Sequence, residues 1–286
     1  MGVSRLALYA VRLPFSALRF SPYLGIYRAQ FAVTLASQLQ YRVEALIWLF
    51  GAILQPLIYL IVWSTVSQTN GGSVGGYSTG AFAAYFVVLM LVNQWTDTWV
   101  MYEFESRIRE GTFSPKLLRP IHPIHSDVAD NVTHKFLTSF ILIPVAVLLA
   151  VIFHATLRPP LWALAAFVPS LFLAFLLRFV VEWTVALACF WTTRVGAVNQ
   201  MYAVAVMVLS GQMAPLSLFP PPVQTLATIL PFRWMVAFPV DLATGALSPH
   251  DALVGCVTQA VWLALGVVLL NVVWRWAVRR YSAVGV

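Results

Sequence analysis

The chain has 286 residues, 60% hydrophobic and only 9% charged, where a soluble globular domain carries about 25% charged residues. So little charge could not cover a soluble surface, which excludes a cytosolic enzyme, a disordered chain and a secreted disulfide scaffold. The net charge of +7 then reports orientation in a membrane and not attraction to nucleic acid. The two cysteines, Cys189 and Cys256, lie in apolar runs and read as small packing residues.

In chain order, the first 20 residues do not form a signal peptide, because the apolar run 6–11 is short and Arg12 and Arg19 interrupt the residues after it. Residues 24–42 place Leu24, Tyr27, Phe31, Leu35 and Leu39 at spacings of 3 or 4, with Arg28, Gln30, Thr34, Ser37, Gln38 and Arg42 largely on other faces. This predicts an amphipathic helix lying on the inner membrane surface; the alternative is a soluble helix packed on cytoplasmic loops. A crossing needs roughly 20 mostly apolar residues. The stretch between Glu44 and Asp97 is uncharged and too long for one span. It divides into spans at 45–66 and 80–101 around a flexible polar loop, residues 68–76. Gln55-Pro56 is expected to break the first span near its middle. Further spans are predicted at 136–156, interrupted by Pro144, then at 161–193, at 195–218 and at 253–275.

Six crossings put fourteen basic residues on one face: Arg5, Arg12, Arg19, Arg28 and Arg42, then Arg107, Arg109, Lys116, Arg119 and Lys135, then Arg194, Arg275, Arg279 and Arg280. Only Arg158 and Arg233 fall on the other, with Arg178 inside span four. Basic residues accumulate on the cytoplasmic side, so both termini are expected there, in the cell (inner) membrane.

There is no Gly-x-x-x-x-Gly-Lys-Ser/Thr phosphate loop, no His-Glu-x-x-His and no Gly-x-Ser-x-Gly elbow. His122 and His125 have a three-residue spacing close to a metal pattern, but lack a nearby carboxylate or cysteine and read as solvated loop residues. No metal site is expected.

Two regions are unusual. Residues 103–110 carry Glu103, Glu105, Arg107, Arg109 and Glu110 over about two helical turns, with Gly111 placed for a left-handed cap. A Pro-bounded apolar step, Leu117-Leu118-Arg119-Pro120-Ile121, comes next. On the outer side, residues 219–252 and the stretch just before them contain Gly211, Pro215, Phe219-Pro220-Pro221-Pro222, Leu230-Pro231-Phe232, Pro239 and Gly245, too apolar for an exposed loop. Broken apolar backbone at membrane depth must be buried in protein or line a cavity, so this reads as a re-entrant outer cap of short helices. Within the spans, Arg178 and Glu182 share one face and read as a structural pair near the inner leaflet, where Arg178 could snorkel, with a substrate site as the alternative. Asn93 and Asp97 either hydrogen-bond between helices or line an inward cavity; Asn199 and Gln200 play a similar part in span five.

Arg107-Ile108-Arg109-Glu110-Gly111-Thr112, followed by Leu117-Leu118-Arg119-Pro120-Ile121, resembles the inner-loop signature of type-2 ABC transporter permeases. Leu230-Pro231-Phe232, Pro239 and Gly245 resemble that family's region before its last helix, and the resemblance extends over nearly the whole chain. It is most similar to small permeases often made as two unlike subunits. The resemblance implies an all-α integral membrane protein, one permease domain over residues 1–286: an interfacial helix, six spans, a cytoplasmic coupling helix in loop 102–135 and the outer cap. It implies a second permease subunit, identical or unlike, and a cytoplasmic ABC ATPase dimer gripped by Glu103, Glu105, Arg107, Arg109, Glu110, Gly111, Leu118, Arg119 and Pro120. It implies no cofactor on this chain, with ATP and magnesium on the ATPase. It further implies an outer gate at Pro215, Phe219, Pro220, Pro231, Phe232 and Pro239, membrane lipid as surroundings, and no nucleic acid as partner. Cargo is expected to be a small hydrophobic, amphipathic or cationic compound, with lipid or glycan export as an alternative. A proton-driven secondary transporter is the rival reading, and a lipid enzyme using Asp97, His154 or Glu182 the weakest.

Overall fold

Helices account for almost all of the regular structure, as so apolar a chain requires: in hydrocarbon every backbone N–H and C=O must be satisfied internally. The computed structural model describes residues 20–40, 42–192 and 195–280. The expected arm 1–19 with Arg5 and Arg12, and also Arg194 and the end of span four at Thr193, lie outside the described residues. Helix α1 (Phe20–Gln40) precedes α2 (Arg42–Thr69). A two-stranded hairpin, β1 (Ser73–Val74) and β2 (Tyr77–Ser78), leads into α3 (Thr79–Thr96), α4 (Val100–Arg109) and α5 (Ser114–Leu117). Long helices α6 (Pro123–Ile152) and α7 (Leu161–Ala186) come next, the latter tightening into a 3-10 turn, Leu187–Phe190. Then come α8 (Gly196–Leu209), the short α9 (Pro221–Ile229), α10 (Phe232–Met235) and α11 (Ala237–Thr244), and last α12 (Pro249–Arg280).

Among the described residues, five stretches are long and apolar enough to cross a membrane: 49–69, 79–109, 123–152, 161–190 and 249–280. The expected span 195–218 is instead the 14-residue α8, about 21 Å long at 1.5 Å per residue and shorter than a hydrocarbon core of roughly 30 Å. Its ends nevertheless lie in different clusters. Val195 packs with Trp183 and Phe113, whereas the Gly211 carbonyl accepts from the Tyr85 hydroxyl, so the chain still passes between the two ends of the bundle.

Several expected boundaries move. Span three begins at Pro123, thirteen residues before Phe136, because Pro at the first helical position starts the helix and its charged residues find partners. Loop 102–135 is therefore mostly helix. Neither Pro56 nor Pro144 breaks its helix. Of the expected loop 68–76, Gln68 and Thr69 still belong to α2, and Gly75 and Gly76 form the turn of the β1–β2 hairpin with φ of 55° and 85°, the sign a two-residue primed turn demands.

Packing is strongest between α7 and α12 and between α2 and α3. The α3 helix is central, with Phe82, Tyr85, Phe86, Leu89 and Met90 all buried. By contrast α6, α7 and α12 turn Phe140, Val147, Val168, Phe172, Val261 and Val268 outward, which suits lipid tails as apolar as these side chains. Helix α1 lies along the first half of α6. Gln30 and Thr34, expected off the contact face, both hydrogen-bond Asp130, and Phe31 meets Phe136.

Candidate functional site

Two polar assemblies stand out. The first is at the end of the bundle formed by α4, α5 and the start of α6. The expected helix 103–110 starts three residues early, at Val100, and ends at Arg109. Gly111 takes φ 72°, the left-handed conformation that glycine adopts without a Cβ penalty. Reversing the chain there lets Phe113 pack on Phe104 at 5.1 Å and on Phe190 at 5.7 Å, with Phe104 against Trp183 at 5.1 Å. Asp127, 1% exposed, sits at the centre. It accepts from Arg107 and Lys116 at 2.9 Å each and from the Trp183 indole at 3.1 Å. Arg107 also pairs with Glu103, and Glu110 accepts from Ser106 at 2.7 Å. A solvated linker is thereby excluded for residues 100–117: α4 and α5 are clamped onto α6 and α7. Glu103, Arg109, Glu110, Leu118, Arg119 and Pro120 remain exposed, Leu118 by 80%, while Glu105 is half-buried.

The histidines are not solvated loop residues. His122 caps α6, its Nδ1 accepting from the Ile124 N–H, and its ring lies 4.6 Å from Trp274 and 5.5 Å from Trp183. Burial pushes its pKa down from 6.5 to about 4, because desolvation disfavours the imidazolium. His125 Nδ1 meets the Tyr27 hydroxyl of α1 at 2.9 Å.

The second assembly surrounds the break at residues 97–99 between α3 and α4. Arg178, 5% exposed, is enclosed and does not snorkel. Its Nε donates to Glu182 at 2.8 Å, one Nη to Thr96 at 3.3 Å and the other to Asp97. Glu182 also accepts from Thr98 and from Tyr202 at 3.3 Å. The expected Arg178–Glu182 pair thus exists, but Asp97 is its third member, and Asn93 turns away to accept from Gln212 at 3.0 Å. Lys135, counted as an inner-loop charge, is 3% exposed and donates to the Gln94 and Asp97 carbonyls, closing the end of α3. His154 stands far off, its carbonyl beside Gly80, so Asp97, His154 and Glu182 form no common site.

Residues 53–285 match the family described as ABC-2 family transporter protein. This chain belongs to the ABC-2 transporter family. No curated protein and no solved structure matches it. Membership makes it a multi-pass membrane component of a transporter, not itself the ATPase, that associates with an ABC ATPase.

In this family member the Pro-rich stretch 211–248 folds at the opposite end of the bundle from α4. Pro215 and Pro239 are buried, Phe219, Pro231 and Phe232 half-buried, and Pro220 exposed. Phe238 fills the space that a Cβ on Gly255 would take, and Trp234 and Phe238 are buried among α3, α7 and α12. Gln259 of α12 donates to the Trp234 carbonyl at 2.8 Å. Gln259 lies ten residues into its helix, so this backbone reaches about 15 Å inward from the helix start. Sequence reasoning missed Asp127, Thr98, Tyr202 and Gln212. Pro123 was the available signal for Asp127, since a helix starting there puts this carboxylate in its second turn.

Proposed function

We propose that this chain is the membrane-spanning permease subunit of an ATP-driven exporter that moves a small hydrophobic, amphipathic or cationic compound outward by alternating access. The observation that carries this reading is the clamp of α4 and α5 onto α6 and α7 through Asp127, Arg107 and Lys116, with an exposed surface outside it. Leu118, Arg109, Glu110, Arg119 and Pro120 offer an apolar contact ringed by charge of both signs, the composition of a polar-rimmed docking patch. An ATPase held there, supplying ATP and magnesium, would transmit its closure as a rigid displacement to α6 and α7. With α8 and the backbone after it counted as one crossing, six spans bring both termini and this patch to the cytoplasmic face of the inner membrane. Pairing with a second permease, identical or unlike, would enclose the pathway, and the cap at 211–248 would serve as its outer gate through Pro215, Phe219, Pro220, Pro231, Phe232 and Pro239.

Leu118→Asp and Glu110→Lys test this. Purified from native membranes, the wild-type chain is expected to carry an ATP-hydrolysing partner. Both variants should lose it by roughly tenfold or more, as for removal of a hot-spot contact, at unchanged membrane insertion and thermal stability. Equal recovery of ATPase activity with all three chains would overturn the reading.

A further inference from the structure

The break between α3 and α4 opens on a cavity of about 390 Å³, lined from α2 by Gln55, from the break and α4 by Asp97, Trp99 and Tyr102, from α7 by Arg178 and Glu182, and from α8 by Asn199 and Tyr202. Its polar groups are unevenly satisfied. Arg178 spends its donors on Glu182, Thr96 and Asp97, and Glu182 is held by Arg178, Thr98 and Tyr202. Asp97 is different. One carboxylate oxygen faces Arg178; the other has no partner among the described residues, and the side chain is 47% exposed. Asn199 is stranger still: 1% exposed, with neither its amide nitrogen nor its oxygen hydrogen-bonded among the described residues. Buried polar groups are usually paired; Asn199 differs from the single unpaired atoms elsewhere in lacking partners on both amide atoms and in lining the cavity, where a ligand's polar group could complete it.

The chemistry around that amide selects a charge. Two carboxylates and one guanidinium line the cavity, a formal excess of one negative charge. The nearby cation, Lys135, lines the smaller adjoining cavity of about 170 Å³ together with His134, and it is directed at the Gln94 and Asp97 carbonyls. Around the carboxylates stand the rings of Trp99 and Tyr102, which are exposed, and Tyr202, with the thioethers of Met101 and Met207. Such rings attract cations through their faces, and thioethers adapt to flat apolar bodies.

We propose that this cavity binds a small organic monocation with a flat apolar body, its charge against the free oxygen of Asp97 and its hydrogen-bonding group against Asn199. The use of such a site as a cargo station rests on the transport reading; its chemistry does not.

Ethidium, a permanent planar cation with amine donors, is a suitable probe, and binding is read without ATP or any ATPase. With the purified full chain in lipid nanodiscs, fluorescence anisotropy should show saturable binding above that of empty nanodiscs. Asn199→Leu is expected to weaken it by roughly tenfold, the loss of one or two hydrogen bonds, while the thermal midpoint stays or rises, because an unpaired amide has been replaced by an apolar group. Asp97→Asn should weaken it further; if that variant fails to fold with Arg178 stranded, Asn199→Leu still decides. Unsaturable ethidium binding, or equal affinity for wild type and Asn199→Leu, would overturn the proposal. An ATPase partner without ethidium binding leaves the transporter and removes the site. Ethidium binding lost in Asn199→Leu, without an ATPase partner, does the reverse.

Discussion

Asp127 and Gln259 hold equivalent places at opposite ends of the bundle. Each is a polar side chain with 1% or less exposure, and each joins elements distant in sequence. Asp127 of α6 gathers Arg107, Lys116 and Trp183, whereas Gln259 of α12 gathers two carbonyls, those of Ser170 and Trp234. The first end is fastened by charge and aromatic rings. At the second, a neutral amide binds backbone, and glycine lets rings approach closely, as Phe238 does over Gly255. Charges hold α4 and α5 as one body at long reach and full strength only where water is scarce. Inside the cap a longer Arg233–Asp241 pair at 4.0 Å joins α10 to α11, but the hydrogen bonds that Gln259 makes from α12 are neutral and weaker, which is what the proposed gate would need.

Removing Asp127 should give the largest effect. In Asp127→Ala the Arg107 and Lys116 cations, only 16% and 19% exposed, lose their shared carboxylate. Breaking a buried ion pair this way costs about 3–5 kcal/mol. The thermal midpoint of the purified chain should fall by several degrees, and protease sensitivity should appear within residues 100–120 before the cap. A simultaneous loosening of both ends would show that they are not held independently.

Acid should separate the ends next. His122 is neutral in the fold, with its pKa lowered to about 4 from 6.5 by burial. Between those values the unfolded chain binds the extra proton and the folded chain does not, so stability rises with pH across that window. The contribution is complete above pH 6.5 and is lost as pH falls toward 4. At 1.36 kcal/mol per unit the loss amounts to at most about 3 kcal/mol. Unfolding monitored from pH 7 to pH 4.5 should show it, and His122→Phe should flatten the profile in that range. An unchanged profile would mean that the His122 ring is not enclosed by Trp183 and Trp274.

The asymmetry also explains which features could be read directly from the residues. The long apolar runs, the left-handed Gly111 and the Arg178–Glu182 pair come from local spacing, because hydropathy, glycine geometry and an i,i+4 pair are short-range properties. Asp97 joining Arg178 across 81 residues, or Lys135 closing the end of α3, depends on which helices pack together, and no local pattern carries that. The start of α6 was obscured for a related reason. Asp127, Asp130 and Lys135 look like loop charges until their partners Arg107, Thr34 and the α3 carbonyls are brought beside them. The 14-residue α8 was overestimated because the apolar residues after it continue the hydropathy signal, although Gly211 at φ 83° ends regular helix there.

The smallest effect should come from the cap. Gln259→Leu removes both donated hydrogen bonds to Ser170 and Trp234 but also deletes a buried Oε1 that has no partner among the described residues, so loss and gain partly cancel. Interhelical hydrogen bonds in membrane proteins average about 0.6 kcal/mol and reach about 1.7, which puts the variant near 1 kcal/mol less stable. Hydrogen exchange should speed up at the amides of α10 and α11 and leave those of α4 and α5 unchanged. Gln259→Glu sharpens the contrast: it places a carboxylate against two carbonyls in an enclosed site and should cost well over the neutral change. If Gln259→Leu destabilised the chain as much as Asp127→Ala, the cap would be no weaker than the charged end, and a part held that firmly could not open as a gate.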